Sequence, residues 1–199
     1  LDQMTTKADR INWTKTSGEI RLVIESHTSN SDISTSFENQ FVFTISGSGK
    51  MTLDHTVTPC GKMPEWLPRV GVQLVLNQSF NQLKWYGRGP FETYPDRKTG
   101  AKTGEYSSSV AEQYVPYLIP QENSNKTDVR WASLQDVNGA GVKIFSSELF
   151  NFSALNVQSD NLSRALYPFQ LQPFDGVTLN IDYALSGVGC TAISVLNKY

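Results

Sequence analysis

Apolar residues recur at every second position in several stretches of this chain, and that period of two most restricts its fold. In VTLNIDYAL, Val177, Leu179, Ile181, Tyr183 and Leu185 alternate with Thr178, Asn180, Asp182 and Ala184. Successive strand side chains point to opposite faces, so the spacing predicts a strand whose first set is buried. EIRLVIESHT (19–28) and QFVFTISGSGKMTLDHTVTP (40–59) read as three further runs, the last two joined across Gly47-Ser48-Gly49. Glycine takes the positive φ that a tight hairpin connection demands. In VRWASLQDVNGAGVKIF (129–145), Asn138-Gly139 forms the turn. Val129, Trp131 and Ser133 are expected on one face, with Val142 and Ile144 on the return strand.

Helical periodicity is scarce. SDNLSRAL (159–166) is the best candidate, with Ser159 or Asp160 as cap and Leu162 and Leu166 four apart. No fixed-period repeat or low-complexity linker interrupts the pattern. The expectation is one all-β domain spanning 1–199, a large antiparallel β-sandwich with at most one or two short helices.

Bulk properties exclude several function classes. Hydrophobic residues make up 39% and charged residues 18% of 199 positions, which is enough apolar material for a core. A formal net charge of −2 offers no electrostatic surplus for phosphate backbones or anionic lipid, so neither nucleic acid nor a membrane is an expected partner. Cys60 and Cys190 are too far apart for a paired metal-ligand motif or a redox CxxC. Two buried free thiols are the simplest reading, and a disulfide remains an open alternative. The first residues lack the apolar core of a secretory signal, and the compartment, cytoplasmic or periplasmic, is not legible. The start at Leu1 and the stop at LNKY suggest a piece of a longer chain.

The densest chemistry lies in WYGRGPFETYPDR (85–97). Gly87 and Gly89 are expected to let the backbone bend, and Pro90 and Pro95 to rigidify it. Trp85 and Tyr94 offer flat apolar faces while Arg88 and Glu92 offer directional hydrogen bonds, a mixture suited to a sugar. The competing reading is that Arg88, Arg97, Glu92 and Asp96 pair with one another to hold the loop, as buried charges must. Glu92 and Asp96 do not form a convincing glycosidase pair, because a four-residue spacing does not impose the gap of about 5 Å that retaining chemistry needs. In YVPYLIPQENSNKTDVRW (114–131), prolines enforce an extended path before a cluster of amides and charges, which can line a groove or tie loops together. His27 and His55 lie in strand runs and are read as partly exposed strand residues rather than bases. No catalytic triad, phosphate loop or metal motif is present, so neither a catalytic residue nor a metal site is expected.

LPRVGVQLVL (67–76), WYGRGPFETYPDRKTGAKTGEYSSSV (85–110), YVPYLIPQENSNKTDVRW (114–131) and FNFSAL (150–155) occur in one order. Together these blocks resemble the C-terminal, small-chain (fifth) domain of the large bacterial β-galactosidases of glycoside hydrolase family 2. The resemblance implies a supersandwich similar to the galactose mutarotase fold, at the end of a multidomain enzyme that hydrolyses terminal β-galactosides with retention. It places both catalytic glutamates and the magnesium ligands on a separate TIM-barrel domain, so that this chain has no cofactor of its own while Mg²⁺ belongs to the parent. The domain then covers the barrel mouth, with the remaining domains and the galactoside as partners, and a homo-oligomeric parent. In the family a tryptophan after a GxGGDDSW-like run stacks on the sugar; here the stretch is GVGCTAIS (187–194), with Ser194 at that position. For the stretch 85–97 the internally paired turn is the favoured reading; Trp85, Arg88, Glu92 and Tyr94 are the candidate substrate contacts if it faces the groove, and a stand-alone galactoside-binding module that grips sugar with these four residues is the alternative function.

Overall fold

The structure is a computed structural model that describes residues 4–30 and 34–189. It divides into two compact units, Leu1–Trp66 and Leu67–Tyr199. In the first, β1 (Thr5–Lys15), β2 (Glu19–Ser29), β3 (Ser36–Ser46) and β4 (Met51–Cys60) form a sheet in sequential order, each strand antiparallel to the next. The hairpin expected at Gly47-Ser48-Gly49 is present. Gly49 adopts φ +84 there, and its N–H donates to Ser46 O at 3.1 Å. His27 Nδ1 lies 2.9 Å from Asp9, and His55 stacks on Phe41 with 4.1 Å between ring centroids. Both histidines are half-buried strand residues, as the sequence suggests.

The second unit contains β5 (Arg69–Asn77), β6 (Gln82–Gly89), β7 (Lys102–Ser109), β8 (Lys126–Gln135), β9 (Gly141–Leu155) and β10 (Gly176–Leu185). They form one antiparallel sheet in the order β5-β10-β9-β8-β6-β7. Its core contains Leu83, Trp85, Val129, Ala132, Leu134, Phe150, Phe152, Val177 and Leu179. The all-β, antiparallel class is thus the one expected. Cys60 is half-buried with Sγ 3.7 Å from Thr58 O, while Cys190 and Ser194 lie outside the described residues.

Three local expectations need correction. The alternation in β8 breaks because the register with β9 shifts on both sides of Val129, so Val129 shares the core with Ala132 and Leu134 rather than with Trp131 and Ser133. In β10 the alternation holds for Val177, Leu179 and Ile181, then fails at a bulge between Asp182 and Ala184 that leaves Tyr183 72% exposed. The opposite set, Thr178, Asn180 and Asp182, is itself buried, since β10 lies between β5 and β9 and is covered on both faces there. The helix α1 spans Ser159–Arg164 with Gln158 as N-cap, so Leu162 is buried while Leu166 lies beyond the helix and is exposed.

Candidate functional site

The stretch 85–97 is built from the end of β6 and the turn that follows it. Gly87 and Gly89 lie within the strand, and neither has a positive φ. They are small because neighbours press on them, not because the chain bends. A Cβ on Gly87 would fall 2.8 Å from Val129 Cγ2, and one on Gly89 would fall 2.8 Å from the Tyr106 ring. After Gly89-Pro90, a cis peptide, the chain reaches a tight turn in which Arg97 N–H donates to Tyr94 O at 2.8 Å. Pro95 occupies the second turn position, where its fixed φ is favoured.

The four residues read as sugar contacts are placed as follows. Trp85 is 1% exposed, and its Nε1–H donates to Arg88 O at 3.0 Å. Tyr94 is 0% exposed, with the Arg97 guanidinium 5.5 Å from its ring centroid. Arg88 donates to Asp128, and to the carbonyls of Lys98 and Ala101 at 3.2 and 2.9 Å. Glu92 accepts from the Arg97 guanidinium, from the Tyr117 hydroxyl, and from Ser124 N–H at 2.8 Å. Both rings are therefore packed inward, and both charges are committed within the unit.

Of the internal pairs expected, only Glu92 with Arg97 forms inside the loop. Arg88 reaches across to Asp128, which also accepts from Lys98 Nζ at 2.9 Å. Burial alone would raise the Asp128 pKa, but the hydrogen bonds from Arg88 and Lys98 outweigh it and hold the carboxylate below its ordinary value. Asp96 turns toward the GVGC run, accepting from Val188 N–H at 3.3 Å and Gly189 N–H at 2.8 Å. A side chain at Gly187 would collide with that carboxylate, its Cβ 2.5 Å from Asp96 Cγ.

The segment 114–125 ties these parts together. Asn125 exchanges hydrogen bonds with Thr93, its O accepting from Thr93 N–H at 2.7 Å and its Nδ2 donating to Thr93 O at 2.8 Å. Asn123 Oδ1 accepts from Val115 N–H at 3.2 Å. The amides here serve backbone groups that the irregular path would otherwise strand.

A cleft of about 270 Å³ opens beside this framework, lined by Pro95, Lys98, Asp128, Leu149, Asn151 and Tyr183 among others. Sequence reasoning missed it. Its residues come from four separated segments, and the alternation along 177–185 predicts Tyr183 on the buried face. The nearest signal was the cluster of polar residues up to Arg130, which includes Asp128. Among the described residues, no group of three or more His, Cys, Asp or Glu side chains is placed to hold a metal ion. Among the described residues, no helix is long and apolar enough to cross a membrane.

The family model described as Beta galactosidase small chain matches residues 1–199. A beta-galactosidase of Priestia megaterium is 40% identical over 147 residues, covering 74% of this chain and 14% of that protein. One from Vibrio cholerae is 30% identical over 190 residues, covering 95% of this chain and 18% of its own. One from Kluyveromyces lactis is 33% identical over 167 residues, covering 82% and 16% respectively. The matched stretch is thus a small share of each relative. With the model matching from first residue to last, this chain belongs to the β-galactosidase small chain family.

Proposed function

We propose that this chain is a non-catalytic domain of a β-galactosidase, shaping or closing the mouth of an active site whose bond-breaking acids lie on another domain. The observation that carries the reading is the state of the acids in the 85–97 stretch. Glu92 is held by Arg97, Tyr117 and a backbone N–H, and Asp96 by two backbone N–H groups. A retaining glycosidase needs two carboxyl groups facing one sugar, one of them free to give a proton. These two are occupied with holding structure. The small share of each relative that the chain matches supports the same view, since most of such a protein is available to supply a barrel with its glutamates and Mg²⁺.

The test compares the purified 199-residue chain with its longer parent on a chromogenic β-galactoside. The chain alone is expected to release no product above buffer, and the parent to lose activity when residues 1–199 are deleted. Substantial turnover by the pure chain overturns the reading, as does an undiminished parent after the deletion.

A further inference from the structure

We propose that the cleft beside Tyr183 is a non-catalytic subsite for a neutral sugar ring, a galactoside in the first instance; the choice of galactoside rests on the function proposed above, the site itself on geometry.

Irregular backbone from several elements converges on this cleft. The β10 bulge between Asp182 and Ala184 takes Tyr183 out of the ladder with β5 and leaves that residue 72% exposed. The β8 register shifts between Lys126 and Val129, and within that shift Asp128 adopts φ +54. Positive φ is uncommon for a residue with a side chain, and such strain collects where a side chain must be aimed. Bulges serve the same purpose, re-aiming side chains beside binding sites. All of these features line the same space, together with Leu149 and Asn151 of β9.

The chemistry of the lining selects the ligand. Tyr183 offers an exposed flat face and Leu149 is 49% exposed, which suits the C–H side of a pyranose. Neither the Asn151 amide nor the Tyr183 hydroxyl bonds to another described residue, so both are available to sugar hydroxyls. Lys98 and Asp128 add a fixed donor and acceptor 2.9 Å apart. A volume of about 270 Å³ suits one ring rather than a long oligosaccharide. Asp128 is the only acid among the described residues that line the cleft and is tied to Arg88 and Lys98, so bound sugar would be held rather than cleaved.

Saturation-transfer NMR on the 199-residue chain tests this with methyl β-D-galactoside, lactose and inorganic phosphate as separate probes. Tyr183→Ala, Asn151→Ala and, as a control, Trp66→Ala change surface residues, and amide spectra verify that each variant keeps its fold. The expected result is millimolar binding of the galactosides that weakens roughly tenfold in Tyr183→Ala and clearly in Asn151→Ala, and is unchanged in Trp66→Ala. The proposal is overturned if neither galactoside binds, if both cleft variants bind like the wild type, or if phosphate alone binds. Hydrolysis by the parent is a separate readout. An active parent with a silent cleft sinks the subsite alone, and a sugar-binding chain from an inactive parent sinks only the enzyme reading.

Discussion

Asp182 is fully buried, with Oδ1 3.0 Å from Arg69 Nε, and Arg69 also holds the partly exposed Glu122 at 3.2 Å, so two acids share one guanidinium. Burial raises the Asp182 pKa, opposed by Arg69 and assisted by Glu122, to about 7. Glu122 is raised for the same first reason, burial, which outweighs its attraction to Arg69. The folded protein therefore holds a proton on Asp182 that the unfolded chain releases near pH 4. That contribution to stability is complete below about pH 4 and is lost as pH climbs to about 7. Asp182→Asn should flatten this decline, whose limit is about 1.4 kcal/mol per pH unit for one proton. Urea unfolding across that window measures the slope. An unchanged slope in the variant would remove Asp182 as its source.

Lys126 predicts an opposite trend at alkaline pH. Its ammonium is buried, donating to Gln113 Oε1 at 2.6 Å and Ser124 O at 2.8 Å, and lies 5.3 Å from the Trp85 ring centroid. Burial lowers its pKa to about 8, against a raising influence from Glu92. Between there and the ordinary lysine value, the unfolded chain binds the proton that the native state gives up, so stability rises with pH. Lys126→Met should abolish that rise, and unfolding curves from neutral pH upward would reveal it.

Glycine spacing at the strand β6 gives a steric prediction. Gly87→Ala would put Cβ 3.0 Å from Val129 Cα, which is backbone and cannot swing aside. An overpacked core of this kind costs about 1–3 kcal/mol. Gly100→Ala meets nothing within 4 Å and should change stability little. Thermal melts of the two variants side by side make the comparison.

The contrast between those glycines shows what the sequence can and cannot announce. Hairpins were legible because Gly49 and Gly139 adopt positive φ, a local need with a local signature. The core of β10 was legible as far as Ile181, because alternation persists while the ladder is regular. At Tyr183 a single extra residue inverts the faces, and no composition rule marks where a bulge falls. Trp85 and Tyr94 were ambiguous for another reason. An aromatic with a polar tip has the same letter whether its ring faces a sugar or a core, and only long-range packing against residues such as Phe152 decides. The cleft was invisible because Lys98, Asp128, Asn151 and Tyr183 meet only through sheet order.

Glu92 should be the most costly acid of the signature stretch to remove. Its side chain is 9% exposed and serves Arg97, Tyr117 and Ser124 N–H together. Glu92→Ala strands all three donors, of which Arg97 at 38% exposure can recover water most easily. A loss of about 2–4 kcal/mol is expected, with Glu92→Gln milder because it still accepts hydrogen bonds. Denaturant midpoints report both, and an alanine variant as stable as the wild type would show that the cluster does not hold the loop.

Backbone strain at Asp128 can be separated from its ion pairs by changing the residue in steps. Asp128 sits at φ +54 and binds Arg88 and Lys98. Asp128→Ala and Asp128→Gly both delete those pairs, but only glycine adopts the left-handed conformation without steric cost. Glycine should therefore be the more stable of the two by about 1 kcal/mol, which inverts the usual order in a strand. Asp128→Asn should exceed both, since asparagine tolerates positive φ and still accepts a hydrogen bond from Arg88. If alanine equals glycine in chemical unfolding, the backbone at this position relaxes without its ion pairs, and the ion pairs are what hold Asp128 in its left-handed conformation.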